Sequence, residues 1–194
     1  MTTTRLLPAS AHREMPWKNG RGVTREVARA DDPETGRQLW RLSIADIDED
    51  APFSPFPGLR RIISVLEGEG MALAVAGEPP REVRRFELYP FDGAARTDCR
   101  LLDGPVRDLN LMFDASRVSA HWEWLAPGTD TTVRGTTGRV LVFSTGEATV
   151  TVDAAPAIRL RRFDCIDLET TEPCELALTA EAGVRCAVIE LTVP

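Results

Sequence analysis

Apolar and polar residues alternate along much of the chain. In Trp40-Arg41-Leu42-Ser43-Ile44-Ala45 and Thr149-Val150-Thr151-Val152 every second side chain is apolar. Because an extended backbone turns successive side chains to opposite sides, this pattern predicts strands with two unlike faces. Ile62-Ile63-Ser64-Val65-Leu66 and Val140-Leu141-Val142-Phe143 are nearly continuous apolar runs, which fit strands covered on both sides. Asp31-Asp32-Pro33-Glu34-Thr35-Gly36 predicts a polar turn. The 14 Gly and 14 Pro are spread from end to end, as many short strands joined by tight turns require, and long helices are not expected.

An internal repeat organises these strands. Arg61-Ile-Ile-Ser-Val-Leu-Glu-Gly68-Glu69 aligns with Arg139-Val-Leu-Val-Phe-Ser-Thr-Gly146-Glu147 at an offset of 78 (146 minus 68). Val83-Arg84-Arg85-Phe86-Glu87 aligns with Leu160-Arg161-Arg162-Phe163-Asp164 at an offset of 77 (163 minus 86). Two matches at nearly one spacing predict a duplicated β-unit. A jelly roll suits each half, since strands wrapped into two facing sheets hide edges that would otherwise template aggregation.

Val65-Leu66-Glu67-Gly68-Glu69-Gly70 resembles a turn frequent in cupins, which implies an all-β bicupin of two jelly-roll halves. The halves are expected at about 1–115, carrying the ligand pocket, and 116–194. Metal-binding cupins generally show G-x5-H-x-H-x(3,4)-E-x6-G, which gathers two imidazoles and a carboxylate. Counting back from Gly68 places Arg61 at the glutamate and Ser54 with Phe56, or Pro55 with Pro57, at the histidines. The same count from Gly146 reaches Arg139. His12 and His121 lie outside both motifs, so no metal and no other cofactor are expected.

Composition narrows the partners. At 194 residues and 43% hydrophobic content the chain can bury a substantial core, and its formal charge of -7 disfavours nucleic acid, whose phosphates need a concentrated basic surface. Cys99, Cys165, Cys174 and Cys186 show no C-x-x-C spacing, which fits reduced thiols. MTTTRLLPAS offers no run suited to a signal peptide, and no later segment approaches membrane-spanning length, so a cytoplasmic location without membrane contact is expected. Homo-oligomerisation is left open.

Candidate chemistry gathers in the first half. Pro16-Trp17-Lys18-Asn19-Gly20-Arg21-Gly22 places an aromatic plate, a cation and an amide in a glycine-punctuated turn, readable as a ligand loop or as a structural turn with Trp17 in the core. Arg25 alternates with Val23 and Val27, and an Arg on an apolar face is either ion-paired or turned to a ligand. Arg41 and Ser43 share a face that would line the barrel or meet solvent. Asn110 shares a face with Met112, either touching ligand or capping a backbone group. Lys18, Arg25, Arg41 and Arg61 together would form a cationic pocket for a small carboxylate.

Four strings in order resemble the HutD/Ves family: Trp17-Lys18-Asn19-x-x-Gly22-x-Thr24-Arg25-Glu26, Trp40-Arg41-x-Ser43-Ile44-Ala45, Phe53-Ser54-x-Phe56-Pro57-Gly58-x-x-Arg61, and Asp108-x-Asn110-x-Met112. Lys18 stands where some members have Arg, and Arg21 occupies a turn position that is often small. The resemblance implies a bicupin fold, an association with bacterial histidine utilisation, and metal-free binding of N-formylglutamate, with no established catalytic activity. It implies ligand contacts at Lys18, Asn19, Arg25, Arg41, Ser43, Ser54, Arg61 and Asn110. Two alternatives stay open: a metal-independent enzyme using Lys18 or Asp108 as base on a small carboxylate, and a Ves-like stress-related protein with a vestigial pocket.

Overall fold

A computed structural model describes residues 2–17, 22–126, 128, 130–135 and 137–193. Among them the chain is all β, with a single turn of 3-10 helix at Ala9–Ala11. It divides into two compact units, Arg13–Arg117 and Met1–His12 joined with Val118–Pro194. No helix among the described residues is long and apolar enough to cross a membrane.

The opening strand, β1 (Thr2–Leu7), belongs to the second of these units. The first unit is then built from β2 (Arg13–Pro16), β3 (Gly22–Asp31), β4 (Gln38–Ile47), β5 (Ala51–Phe53), β6 (Arg60–Glu67), β7 (Met71–Val75), β8 (Arg81–Val83), β9 (Tyr89–Asp92), β10 (Thr97–Leu101) and β11 (Val106–Phe113). One sheet has the order β2-β3-β4-β11-β6-β9 and the other β5-β10-β7-β8. Their facing sides supply one core, with Ile47, Ile63, Val65, Phe91 and Val106 from the larger sheet meeting Met71, Leu73, Val83 and Cys99 from the smaller. Each fully buried aliphatic or aromatic side chain of this kind contributes about 1.5–3 kcal/mol by leaving water. The turn after β3 is held by Asp32, whose Oδ1 accepts the N–H groups of Glu34 and Thr35 while Arg117 pairs with its carboxylate.

The second unit comprises β12 (Ser119–Trp124), β13 (Asp130–Gly135), β14 (Gly138–Ser144), β15 (Ala148–Val152), β16 (Ile158–Leu160), β17 (Cys165–Thr170), β18 (Cys174–Ala180) and β19 (Cys186–Thr192), with β1. Its sheets run β1-β17-β14-β19-β12 and β13-β18-β15-β16 around a core of Val140, Val142, Val150, Leu160, Ile166, Leu168, Leu176 and Val188. His121-Trp122-Glu123-Trp124 lies in edge strand β12, with His121 opposite Glu190. The expected division near residue 115 falls close to Arg117, but the first twelve residues go with the second unit. Threonine-rich β1 docks antiparallel on β17, Arg5 reaches Asp167 at 2.9 Å, and the Ala9 N–H donates to Asp164 Oδ1 at 2.8 Å. An edge strand's unpaired backbone groups are satisfied by whichever chain segment reaches them, and alternation in the sequence does not say which.

The repeat has a physical counterpart in two equivalent turns. Phe86 and Phe163 both have positive φ, 64° and 68°. The N–H of Phe86 donates to Val65 O at 2.9 Å, and that of Phe163 to Ser144 O at 2.7 Å. Val65 therefore corresponds to Ser144, and four residues upstream Arg61 corresponds to Val140. The sequence alignment, which equates Arg61 with Arg139, is out by one residue along this strand. A slip of one residue turns a side chain to the opposite face. Val140 accordingly lies in the second core, while Arg139 sits on the far side bound to Asp167 at 3.0 Å and Glu169 at 2.7 Å.

Candidate functional site

Alternation on three neighbouring strands of the first unit builds a cavity of about 650 Å³. On β4 the even positions Trp40, Leu42 and Ile44 are buried on one side, leaving Arg41, Ser43, Ala45 and Ile47 to line the cavity. On β11, Leu109 and Leu111 are fully buried, and Asp108, Asn110 and Met112 turn inward. From β6 comes Arg61, set opposite Met112. The end of β5 brings Phe53 and the loop after it Ser54 and Phe56, a loop pinned by the Phe56 N–H donating to Gly93 O at 2.6 Å and the Gly93 N–H donating to Leu59 O at 2.8 Å. Trp17 and Thr24 close one side, the indole N–H donating to Thr24 Oγ1 at 2.8 Å.

Arg61 is the central cation. Only 5% of it is exposed, its guanidinium lies 5.0 Å from the ring centres of both Phe53 and Phe91 and 5.7 Å from that of Phe56, and its Nε donates to Asn110 Oδ1 at 3.4 Å. Among the described residues no carboxylate lies within ion-pair distance of it. Burial pulls its pKa down to about 10, against Asp108, which favours the charged form, and with Arg41, which opposes it. The guanidinium thus stays charged at neutral pH while remaining poorly solvated, and a poorly solvated cation favours an incoming anion. Arg41 is half-buried, 5.7 Å from the Phe56 ring centre, with Nη2 donating to Met112 Sδ at 3.5 Å and a buried Nε that has no partner among the described residues. Burial lowers its pKa as well, countered by Glu26 and assisted by Arg29.

The expected contacts divide three ways. Arg41, Ser43, Ser54, Arg61 and Asn110 come together at the cavity. Lys18 and Asn19 lie outside the described residues. Arg25 is on the opposite face: it pairs with Glu14 at 2.9 Å and with Asp46 at 2.5 Å, and Asp46 also accepts from Arg107, which reaches Glu67 at 3.0 Å. Of the two environments open to an Arg beside Val23 and Val27, the structure selects the ion pair. It is Thr24, one position earlier, that faces the cavity.

Asp108 adds an acid to the cationic site. It is 1% exposed, and its Oδ1 is buried with no hydrogen-bond partner among the described residues. Burial pushes its pKa up to about 7, while Arg61 and the Ala45 N–H hold it down and Asp46 adds to the rise. Sequence reading places Asp108 within a motif and as a base only in the enzymatic alternative. Its alternation with Asn110 and Met112 was the signal that it shares their face.

The HutD family profile matches residues 9–188. The chain belongs to the HutD family. A Pseudomonas putida relative, described as an uncharacterized 21.2 kDa protein in the hutC 3′ region, is 38% identical over 98% of each chain. Protein Ves of Citrobacter koseri is 35% identical over 68% of this chain and 70% of its own. The solved structure of HutD from Pseudomonas fluorescens SBW25, in a formate condition, has a TM-score of 0.86 at 36% identity, covering 99% of this chain and 100% of that one.

The four family-like strings supply most of the cavity wall in this HutD-family chain. The cupin metal motif does not survive there: Ser54, Phe56 and Arg61 stand at its ligand positions, and three aromatic rings surround the guanidinium. A guanidinium has no lone pair to offer a metal ion. Among the described residues no three His, Cys, Asp or Glu side chains gather as a metal site needs. Neither the donor set nor its charge fits a divalent cation. All four cysteines are buried and unpaired.

Proposed function

We propose that this chain is a metal-free small-molecule binding protein that holds N-formylglutamate, or a similar acidic amino-acid derivative, in the cavity of its first unit and so regulates histidine utilisation. The observation that carries the reading is Arg61, a buried guanidinium held by phenylalanine rings at the cavity wall with no carboxylate paired to it among the described residues. Arg41, Ser43, Ser54 and Asn110 offer further donors from the same wall. Guanidinium groups bind carboxylates through charge-assisted, often bidentate hydrogen bonds, and a dicarboxylate with an amide carbonyl has acceptors enough for this set. The pathway half of the reading draws on relatives: one lies in a hutC 3′ region, and a HutD was solved in a formate condition. Formate is the smallest carboxylate probe of such a site.

Isothermal titration with N-formylglutamate, glutamate and formate tests the proposal. Heat with at least one of them, lost in Arg61→Ala, supports it. No heat with any, or affinity indifferent to Arg61→Ala, overturns it.

One observation favours a catalytic version. A buried carboxyl group whose pKa lies near neutrality is suited to moving protons, and Asp108 faces the same cavity as two guanidiniums able to stabilise developing negative charge. Incubation of N-formylglutamate with the protein, followed by NMR, decides this: release of formate establishes turnover, and an unchanged spectrum leaves binding alone.

A further inference from the structure

The cavity wall juxtaposes Asp108, whose buried Oδ1 has no hydrogen-bond partner among the described residues, with the cations that would draw an anion toward it. We infer that the cavity takes up its anion together with one proton, which comes to rest on the carboxyl group of Asp108 at the cavity wall. The inference rests on the reading of the cavity as an anion site.

Two carboxylates cannot share a buried space at hydrogen-bonding distance unless a proton lies between them, because their mutual repulsion in a poorly screened site forces one to stay neutral. Asp108 sits on β11 between β4 and β6, so it cannot swing away from an incoming ligand without breaking into packed strands. The Ala45 N–H favours the charged form of its carboxyl group, and among the described residues its Oδ1 has no hydrogen-bond partner. Among the described residues, the charged and titratable groups around it are few. Arg61 on β6 favours the carboxylate, Asp46 on β4 opposes it, and the Cys99 thiol on β10, itself pushed up to about 12, stays neutral. Arg41 on β4 acts on Arg61. Of these, Arg61 is the group that stabilises ionised Asp108, and it is the group a bound anion would neutralise. Ligand entry therefore removes the main support for the charge on Asp108 and adds a like charge beside it. Both changes drive protonation, and a protonated carboxyl supplies the donor that an acceptor-only ligand carboxylate or formyl oxygen lacks on this side.

The experiment is calorimetric titration of the wild-type protein with N-formyl-L-glutamate and with formate at pH 7.5, in buffers of different ionisation enthalpy, repeated at pH 5.5. The expected result is uptake of about 0.5–1 proton per site at pH 7.5, close to none at pH 5.5, and affinity falling by up to about tenfold per pH unit above 7. In Asp108→Asn the binding heat should no longer depend on the buffer. Should that variant fail to fold, the 13C carboxyl resonance of Asp108 in the wild type, followed with and without formate, gives the same answer. Binding without proton uptake, or uptake that persists in Asp108→Asn, overturns the inference and leaves the anion site standing. Absence of binding by either probe at both pH values overturns the two together.

Discussion

Arg61 and Asp108 face one cavity without satisfying each other: the Arg61 Nε donates to Asn110 Oδ1 at 3.4 Å, and among the described residues Asp108 Oδ1 has no hydrogen-bond partner. Each nevertheless favours the other's charged form, and burial opposes both. A buried pair of opposite groups that is not closed into an ion pair keeps hydrogen-bonding capacity for a third molecule. The consequences can be tested separately for binding and for stability.

Arg61→Met retains an unbranched side chain among Phe53, Phe56 and Phe91 while removing the charge. Affinity for N-formylglutamate should fall by about 100-fold or more, the scale on which truncating a buried, hydrogen-bonded charge partner acts. Far-UV circular dichroism should show the fold retained, and calorimetric titration reads the affinity.

Asp108 should make the folded protein more stable in acid than at neutral pH. Its folded pKa, about 7, lies above its ordinary value of 3.8, so the native state holds the proton more tightly than the unfolded chain. That contribution is fully present below about pH 4 and is lost as pH rises through 7, with a slope of at most about 1.4 kcal/mol per pH unit. Urea unfolding of wild type and Asp108→Asn from pH 4.5 to 8 should show a stability difference that shifts in the variant's favour as pH rises.

Asp46 carries the opposite sign and a different role. Burial pushes its pKa up, but the hydrogen bonds from Arg107 and Arg25 outweigh this and hold it below the usual carboxylate range. Its contribution is present above about pH 4 and is lost as pH falls through the depressed folded value. Asp46→Asn should cost about 1–2 kcal/mol at pH 7, the scale for losing hydrogen bonds to charged groups. Because the ion-pair chain lies on the face away from the cavity, ligand affinity should stay within about twofold, a result that would also separate Arg25 from the binding site.

Gly68→Ala tests the turn at which β6 ends. Gly68 has φ 90°, and a Cβ there would lie 2.5 Å from Pro105 O and 2.9 Å from Val106 Cγ1. Left-handed backbone combined with a clash against main chain should cost about 2–3 kcal/mol. Thermal unfolding should show a drop of several degrees in Tm, since backbone atoms cannot move aside as a flexible side chain can.

The alternation of residues 40–45 and 108–113 determined from sequence alone that Arg41 with Ser43, and Asn110 with Met112, would share faces, because side-chain direction along a strand is a local property. The Phe86 and Phe163 turns and the apolar runs at β6 and β14 likewise made a duplicated all-β chain legible. What the sequence left open were relations between strands. Whether the Arg41 face met ligand or water depended on a second sheet packed across from it, and whether Arg25 met a ligand or an acid depended on Asp46, twenty-one residues away, lying beside it. The same holds for Arg139, which one residue of register turned out of the position that Arg61 occupies, and for β1, whose partner β17 lies more than 150 residues along the chain. Hydrogen-bond register between distant strands is chosen by the packing of the whole unit. Only the tertiary structure could therefore decide that the cation replacing a metal ligand in the first unit has Val140, not a second arginine, as its counterpart in the other.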